Sequence, residues 1–273
     1  MFWTRLGSGI VLLVIAIGAI SLGGIPLAAL LWIISMIAFR ELAKALRCNG
    51  EGDKINGLET VGMAGIICYY LLVYLSGDHT WLLMCIVGVF LAIMFVYVIA
   101  FPKYHASQVM AAVFSWLYAP VLLAFVYQTR MCGQGIYTVW MILISSWGCD
   151  TCAYAVGKLI GRKKIFPVLS PKKSLEGCIG GVAGAALLGG LYGHFFVEKA
   201  FPDQRVAGII ALICAVGAVM SMVGDLAASA VKRNMGIKDY GKLIPGHGGI
   251  MDRFDSVIVT APMTYFLTVL MLL

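Results

Sequence analysis

The sequence predicts an all-α polytopic membrane protein of about nine transmembrane helices, with a cytoplasmic amino terminus and a carboxyl terminus outside. Three observations carry this. The 273 residues are 61% hydrophobic and 12% charged, with a mean hydropathy of +0.95, too apolar for a water-soluble globule. Apolar runs long enough to cross a hydrocarbon layer of ~30 Å recur from end to end. The runs are continuous rather than alternating, and without water the backbone must satisfy its own hydrogen bonds, so helices are expected.

The spans fall at 7–22, 25–40, 58–76, 80–101, 107–128, 136–156, 177–196, 205–224 and 256–273 of one integral membrane domain, 1–273. The first has no small-residue cleavage site after it and reads as a retained helix rather than a signal peptide. Gly23-Gly24-Ile25-Pro26 turns it into the second. Segment 41–57 starts helical and ends in a Gly/Asn/Asp turn, where Lys44 and Arg47 suit ordinary headgroup contacts. Trp3 and Trp81 stand near span ends, as interfacial anchors do, and His79, His105 and His194 are read as interfacial polar residues. In the sixth span Ser146, Asp150, Tyr154 and Lys158 recur every four residues, along one helix face. Cys149-Asp150-Thr151-Cys152 is a lone CxxC without a second half, and its cysteines read as packing residues. The seventh span places Gly177/Gly181, Gly180/Gly184 and Gly189/Gly193 at four-residue spacing, which suits a packed centre or a homodimer seam. No strand precedes it, so no dinucleotide fold is implied.

Charge sets the orientation. With the amino terminus inside, 17 of the 20 Lys/Arg fall on the cytoplasmic side, the bias expected of cytoplasmic loops. That side also receives the two most polar loops, 157–176 and 225–255. Residues 1–135 then form a less specific frame, and 136–273 carry the chemistry.

Positive bias does not explain what is mixed with the basic residues. Ser229–Asp255 holds five Lys/Arg, three Asp, one His and five Gly. Asp225, Ser229 and Lys232 share a helix face at i, i+4 and i+7. Asp252 and Asp255 follow at the start of the ninth span. Ionisable groups at membrane depth mark function by default. Carboxylates beside Lys/Arg suit a divalent cation held between protein oxygens and phosphates, since Mg²⁺ takes one or two carboxylates and completes its six positions with water and phosphate. Basic residues neutralise the remaining phosphate charge. Loop 157–176 adds Arg162, Lys163, Lys164, Ser170, Lys172, Lys173 and Glu176, a set that suits polyphosphate better than a simple lipid-headgroup patch.

These residues carry a resemblance. Ser229-x-Val231-Lys232-Arg233, then Lys238-Asp239-x-Gly241, then Ile244-Pro245-x-His247-Gly248-Gly249-Ile250-x-Asp252-Arg253-Phe254-Asp255 resembles the signature of the phosphatidate cytidylyltransferase (CDP-diacylglycerol synthase) family, bacterial type. Cys149–Tyr154 with Gly161-Arg162, and Ser170–Gly177, resemble it too, with Cys152 at a variable place and Lys158 unassigned. Spans one to five match only in hydropathy and position. The resemblance implies that CTP and phosphatidic acid give CDP-diacylglycerol and pyrophosphate. It implies Mg²⁺, with room for a second cation, on Asp225 and Asp252, with Asp255 assisting through a metal-bound water or by holding Arg253. Lys232 and Arg233 join them in the catalytic set. Asp150, Tyr154, Arg162, Ser170, Lys172, Lys173, Ser229, Lys238, His247 and Arg253 are the expected substrate-binding residues, His247 shaping the loop or donating to a phosphate. The expected partners are CTP, phosphatidic acid and membrane lipids, with no nucleic acid, in a bacterial inner membrane. A related nucleotidyl- or phosphotransferase on another lipid is the nearest rival. A secondary transporter is disfavoured by the absence of an internal repeat, and a purely structural subunit by the polar stretch.

Overall fold

The computed structural model describes residues 2–50, 52, 54–199, 201, 206–244 and 248–273, with the side chains of all but 2–6 and 8. The side chains of Trp3 and Arg5, and residues Arg205, Pro245, Gly246 and His247 entirely, lie outside that set. The described chain is a succession of helices: α1 Phe2–Leu22, α2 Gly24–Ala45, α3 Gly57–Leu75, α4 His79–Ile99, α5 Ala106–Met131, α6 Gly135–Ile160, α7 Leu175–Val197, α8 Ala207–Asn234 and α9 Met251–Met271. Among the described residues the only β pairing is two isolated bridges, Lys164 with Ser174 and Ile244 with Gly248. Eight helices, α2 to α9, are long and apolar enough to cross a membrane, and α1 contributes a shorter described apolar stretch, Gly9–Leu22.

The helices overrun the apolar limits read from sequence where the charges are. Helix α8 continues to Asn234 rather than ending at 224, α6 reaches Ile160 rather than 156, and α9 starts at Met251 rather than 256. Hydropathy marks the edge of the hydrocarbon, whereas helix propagation depends on backbone bonding and propensity. The run Ala227-Ala228-Ser229-Ala230 continues without a breaker, so the helix carries Lys232 and Arg233 past the end of the apolar run.

The chain divides into two compact units: 1–128 with 234–253, and 129–233 with 254–273. In the first, α2 buries Leu27, Leu31, Ile34, Ala38, Phe39 and Leu42, a single stripe at three- and four-residue spacing, as packing on one helix face requires. The stripe meets α3 closely, and a Cβ on Gly62 would lie 2.5 Å from the Phe39 ring. Ser35 and Tyr70 hydroxyls pair at 2.7 Å, and Trp116 Nε1 donates to the Gly62 carbonyl at 3.0 Å. Apolar association has little driving force in lipid, so such close contacts and buried polar pairs hold the helices together. Helix α4 leaves Leu83, Phe90, Leu91, Phe95 and Val98 exposed, an apolar surface for acyl chains. Asn56 and Glu59 cap α3 reciprocally, a device that satisfies two orphan amides at once. Helix α5 widens to a π turn at Leu117–Val121 around Pro120, where proline cannot donate the regular bond.

In the second unit α7 lies along α6. Cβ atoms added at Gly180, Gly181 and Gly184 would strike Val156, Ala153 with Cys149, and Cys152, while Gly189 and Gly193 face Cys214 and Ala207 of α8. The glycine ladder is therefore used inside the chain, as a packed centre. Cys149 and Cys152 serve that packing. A core of Met141, Val206, Ile210, Ile213, Cys214 and Leu272 closes the far end.

Candidate active site

In the second unit the site begins at a π turn, Ile144–Gly148 in α6. A π turn adds a residue to the helical cycle, so the four-residue periodicity read across it does not hold. Ser146 is fully buried, its hydroxyl on the Ile142 carbonyl at 2.7 Å. Asp150, Tyr154 and Lys158 lie beyond the turn and keep a common face, with Lys158 Nζ 6.0 Å from the Tyr154 ring centre. That face lines a cavity of 430 Å³ together with Lys164, Lys172 and Lys173. Four ammonium groups and one carboxylate thus border a space the size of a small-molecule site.

Its second wall is the loop 161–174, which folds back on itself. Ile165 N–H donates to Lys173 O at 3.4 Å and Leu175 N–H to Lys163 O at 2.8 Å. Lys164 Nζ donates to the Lys172 carbonyl at 3.1 Å. Glu176, in the first turn of α7, accepts the Arg162 amide at 3.0 Å and the Lys163 amide at 3.2 Å. Ser174 caps α7 by accepting the Gly177 amide at 3.2 Å. A Cβ at Gly177 would sit 2.9 Å from Ala153 O, so glycine lets the first turn of α7 meet α6 there. The loop is a built structure and not a loose basic tail.

Helix α8 brings Asp225 to this wall, its Oδ2 2.5 Å from Lys173 Nζ. The charges of Asp150, Asp225 and Asp255 act on one another, and Lys232 acts on Asp255. Three helices therefore each contribute one carboxylate to a single acid–base cluster. Asp255 is buried, with its side chain accepting the Ser256 amide at 2.8 Å. The crossing that brings α8 to Asp255 depends on Gly224: a Cβ there would lie 2.6 Å from the Asp255 carbonyl and 3.1 Å from Val259. Gly224→Leu is expected to part the helices and destabilise the protein by about 1–3 kcal/mol, as overpacking does. A lower thermal midpoint in detergent, with reduced turnover in the protein that remains folded, checks this.

In the first unit, Asp252 lies in the first turn of α9 and is buried. Its Oδ2 accepts two backbone amides, Tyr240 at 2.8 Å and Gly249 at 3.0 Å. Ile244 N–H donates to Gly248 O at 2.9 Å, and Gly248 has φ +84°, a conformation that glycine adopts without strain. The described parts of the polar stretch, on either side at Tyr240 and Gly249, thus meet on one Asp252 oxygen.

Of the residues expected from sequence, Asp150, Tyr154, Lys172 and Lys173 line the cavity. Arg162 and Ser170 belong to its loop without lining it; Arg162 is exposed, and the Ser170 amide donates to Phe166 O at 2.8 Å. Ser229 and Lys232 are half-buried on α8, whereas Arg233, Lys238 and Arg253 are exposed. Sequence reasoning left Lys158 unassigned, although it lines the cavity beside Asp150. It also passed over Glu41, whose Oε2 accepts the Met251 amide at 2.8 Å; its only signal was a lone acid at the end of an apolar span.

The sequence profile of the cytidylyltransferase family matches residues 3–271. The chain is 44% identical over 126 residues to a phosphatidate cytidylyltransferase of Synechocystis sp., and 40% identical over 134 residues to one of Haemophilus influenzae. Those alignments cover 46% and 49% of this chain, and the chain spans only 41% and 46% of those two relatives' lengths. It is 26% identical over 270 residues to the phosphatidate cytidylyltransferase of Staphylococcus saprophyticus, covering 96% of this chain and 97% of that one.

Proposed function

The chain belongs to the cytidylyltransferase family, and from that premise we propose that it transfers CMP from CTP to phosphatidic acid, releasing pyrophosphate and leaving CDP-diacylglycerol in the membrane. The observation that carries this reading is the 430 Å³ cavity, bordered by Lys158, Lys164, Lys172 and Lys173 at the end of apolar helices. A phosphate-rich headgroup fits such a cavity while its acyl chains stay among the spans. The basic excess of 17 in 20 on one side supports a cytoplasmic site in a bacterial inner membrane, where CTP is available.

The chemistry asks little of a general base. A phosphate monoester is an anion at neutral pH, so its oxygen is already a nucleophile. It attacks the α-phosphorus of CTP in line, a new P–O–P bond forms, the bond to the β-phosphate breaks, and pyrophosphate leaves. The obstacle is repulsion between two polyanions. Lys158, Lys164, Lys172 and Lys173 reduce it at the cavity, and Lys232 and Arg233 extend the positive surface along α8. Loop 161–174, fixed by Glu176 and Ser174, holds three of these lysines, Lys164, Lys172 and Lys173, in register.

Asp225 and Asp252 are the carboxylates proposed for Mg²⁺. Asp225 suits a cation, since its carboxylate already takes the Lys173 ammonium and stands in the field of Asp150 and Asp255. Among the described residues no group of three or more His, Cys, Asp or Glu could hold a metal. Mg²⁺ would therefore draw oxygens from water and substrate phosphates, its ordinary preference. When bound, it supplies charge neutralisation at the transferring phosphorus and the leaving group.

The test uses purified full-length protein with Mg²⁺, phosphatidic acid in mixed micelles and CTP labelled at the α- or γ-phosphorus. The expected result is label in lipid from α-labelled CTP and in pyrophosphate from γ-labelled CTP. Label transfer from the γ-position to lipid would mean a kinase instead, and no phosphate-dependent product from phosphatidic acid would overturn the reading.

A further inference from the structure

Glu41 lies in the penultimate turn of α2, far in sequence from every acid of the signature. Its carboxylate spans the start of the last helix: Oε1 accepts the Ile250 amide at 3.2 Å and Oε2 the Met251 amide at 2.8 Å. The first amides of a helix have no partner within it, and a negative charge there is favoured by the helix dipole. Glu41 therefore caps α9 from outside, across more than two hundred residues of chain. Space has been left for it. Gly249 stands so close that a Cβ would lie 2.5 Å from Glu41 Oε2, and a Cβ at Gly241 would overlap Oε1.

The same backbone is held from its other side by Asp252, which takes the amides of Gly249 and Tyr240. Three successive amides, 249 to 251, are thus held by two carboxylates, Glu41 on amides 250 and 251 and Asp252 on amide 249. The two acids are also close enough for their charges to act on each other. Like charges at such range oppose one another. The arrangement is tolerable because each acid accepts two backbone N–H groups, and a further cation at Asp252 would stabilise both. Both Glu41 oxygens are engaged with peptide N–H groups, which suits a structural role rather than that of a base or nucleophile.

We infer that Glu41 is a positioning residue for the transfer reaction: it fixes the start of α9, sets the orientation of the Asp252 carboxylate, and adds negative potential behind it. Glu41 touches no substrate in this role. The inference rests on the cytidylyltransferase reading for its kinetic consequence, but not for its structural one.

The experiment compares Glu41→Gln, Glu41→Asp and Glu41→Ala in the full chain. Glu41→Gln preserves shape while replacing one acceptor oxygen with a donor that faces a peptide N–H. In hydrogen exchange followed by mass spectrometry, peptides covering 248–256 should exchange about tenfold faster in Glu41→Gln and Glu41→Ala, as loss of ~1.4 kcal/mol of local protection implies. Peptides from α3 and α7 should be unchanged. With active protein normalised to the folded fraction, kcat should fall at least tenfold with KM for CTP within threefold, and the Mg²⁺ concentration for half-maximal rate should rise. Glu41→Asp, shorter by one methylene but still an anion, should recover part of the rate. Unchanged exchange at 248–256 would overturn the inference even if wild-type protein proved to have another activity. Faster exchange with wild-type kcat and Mg²⁺ requirement would reduce Glu41 to a helix cap and overturn its role in positioning. Absence of CDP-diacylglycerol synthesis by wild-type protein would count against the functional reading alone.

Discussion

Asp225→Asn is expected to lower turnover by about 10²–10³-fold or more, the loss typical when a group that stabilises developing charge is removed. The substitution keeps size and removes the negative charge from the acid–base cluster of Asp150, Asp225 and Asp255. Two consequences combine. The proposed Mg²⁺ loses a ligand, and Lys173 loses the carboxylate 2.5 Å from its ammonium. Asp225→Glu separates them, because it keeps the charge but moves it by a methylene. A response of the rate to added Mg²⁺ or Mn²⁺ in Asp225→Glu, with none in Asp225→Asn, is the expected pattern. Wild-type turnover in Asp225→Asn would remove this residue from the metal assignment.

The second large effect is at Asp252. Asparagine there can keep one carbonyl oxygen against the amides of Tyr240 and Gly249, so the polar stretch should stay folded while the charge is lost. Asp252→Asn should therefore retain protease resistance across 236–244 and still lose about 10²–10³-fold in kcat. Asp252→Ala removes the acceptor as well, leaving two buried amides unpaired at a cost of about 1–3 kcal/mol each, and should become protease-sensitive. Equal proteolysis in both variants with normal catalysis in Asp252→Asn would show that this acid is structural only.

What the sequence revealed, and what it hid, follows from the range of each interaction. Span positions were legible because the hydrocarbon layer imposes a length on every apolar run. Helix ends were not, because α8 and α9 run through their charged residues past the ends of the apolar runs. The i, i+4 reading of α6 placed Asp150, Tyr154 and Lys158 together and failed at Ser146, because a π turn changes the period between them. Asp225 and Asp252 stood out as charge in an apolar context, and the structure gives each a definite partner, Lys173 for Asp225 and two backbone amides for Asp252. That Asp150 and Asp255 share a cluster with Asp225 required tertiary structure. Glu41 was hidden most thoroughly, since its partners are peptide amides, which leave no side-chain pattern to find.

One tie has a practical meaning for dissecting this protein. The signature-bearing half is tied to the frame: its final helix is capped by a carboxylate from the second transmembrane segment. A truncated protein starting after residue 45 would retain every motif residue, yet lack the Glu41 cap at the amino end where Asp252 sits. Minimal versions, chimaeras and split reporters of this protein must therefore keep α2 with the C-terminal segment, whichever loop is chosen as the cut.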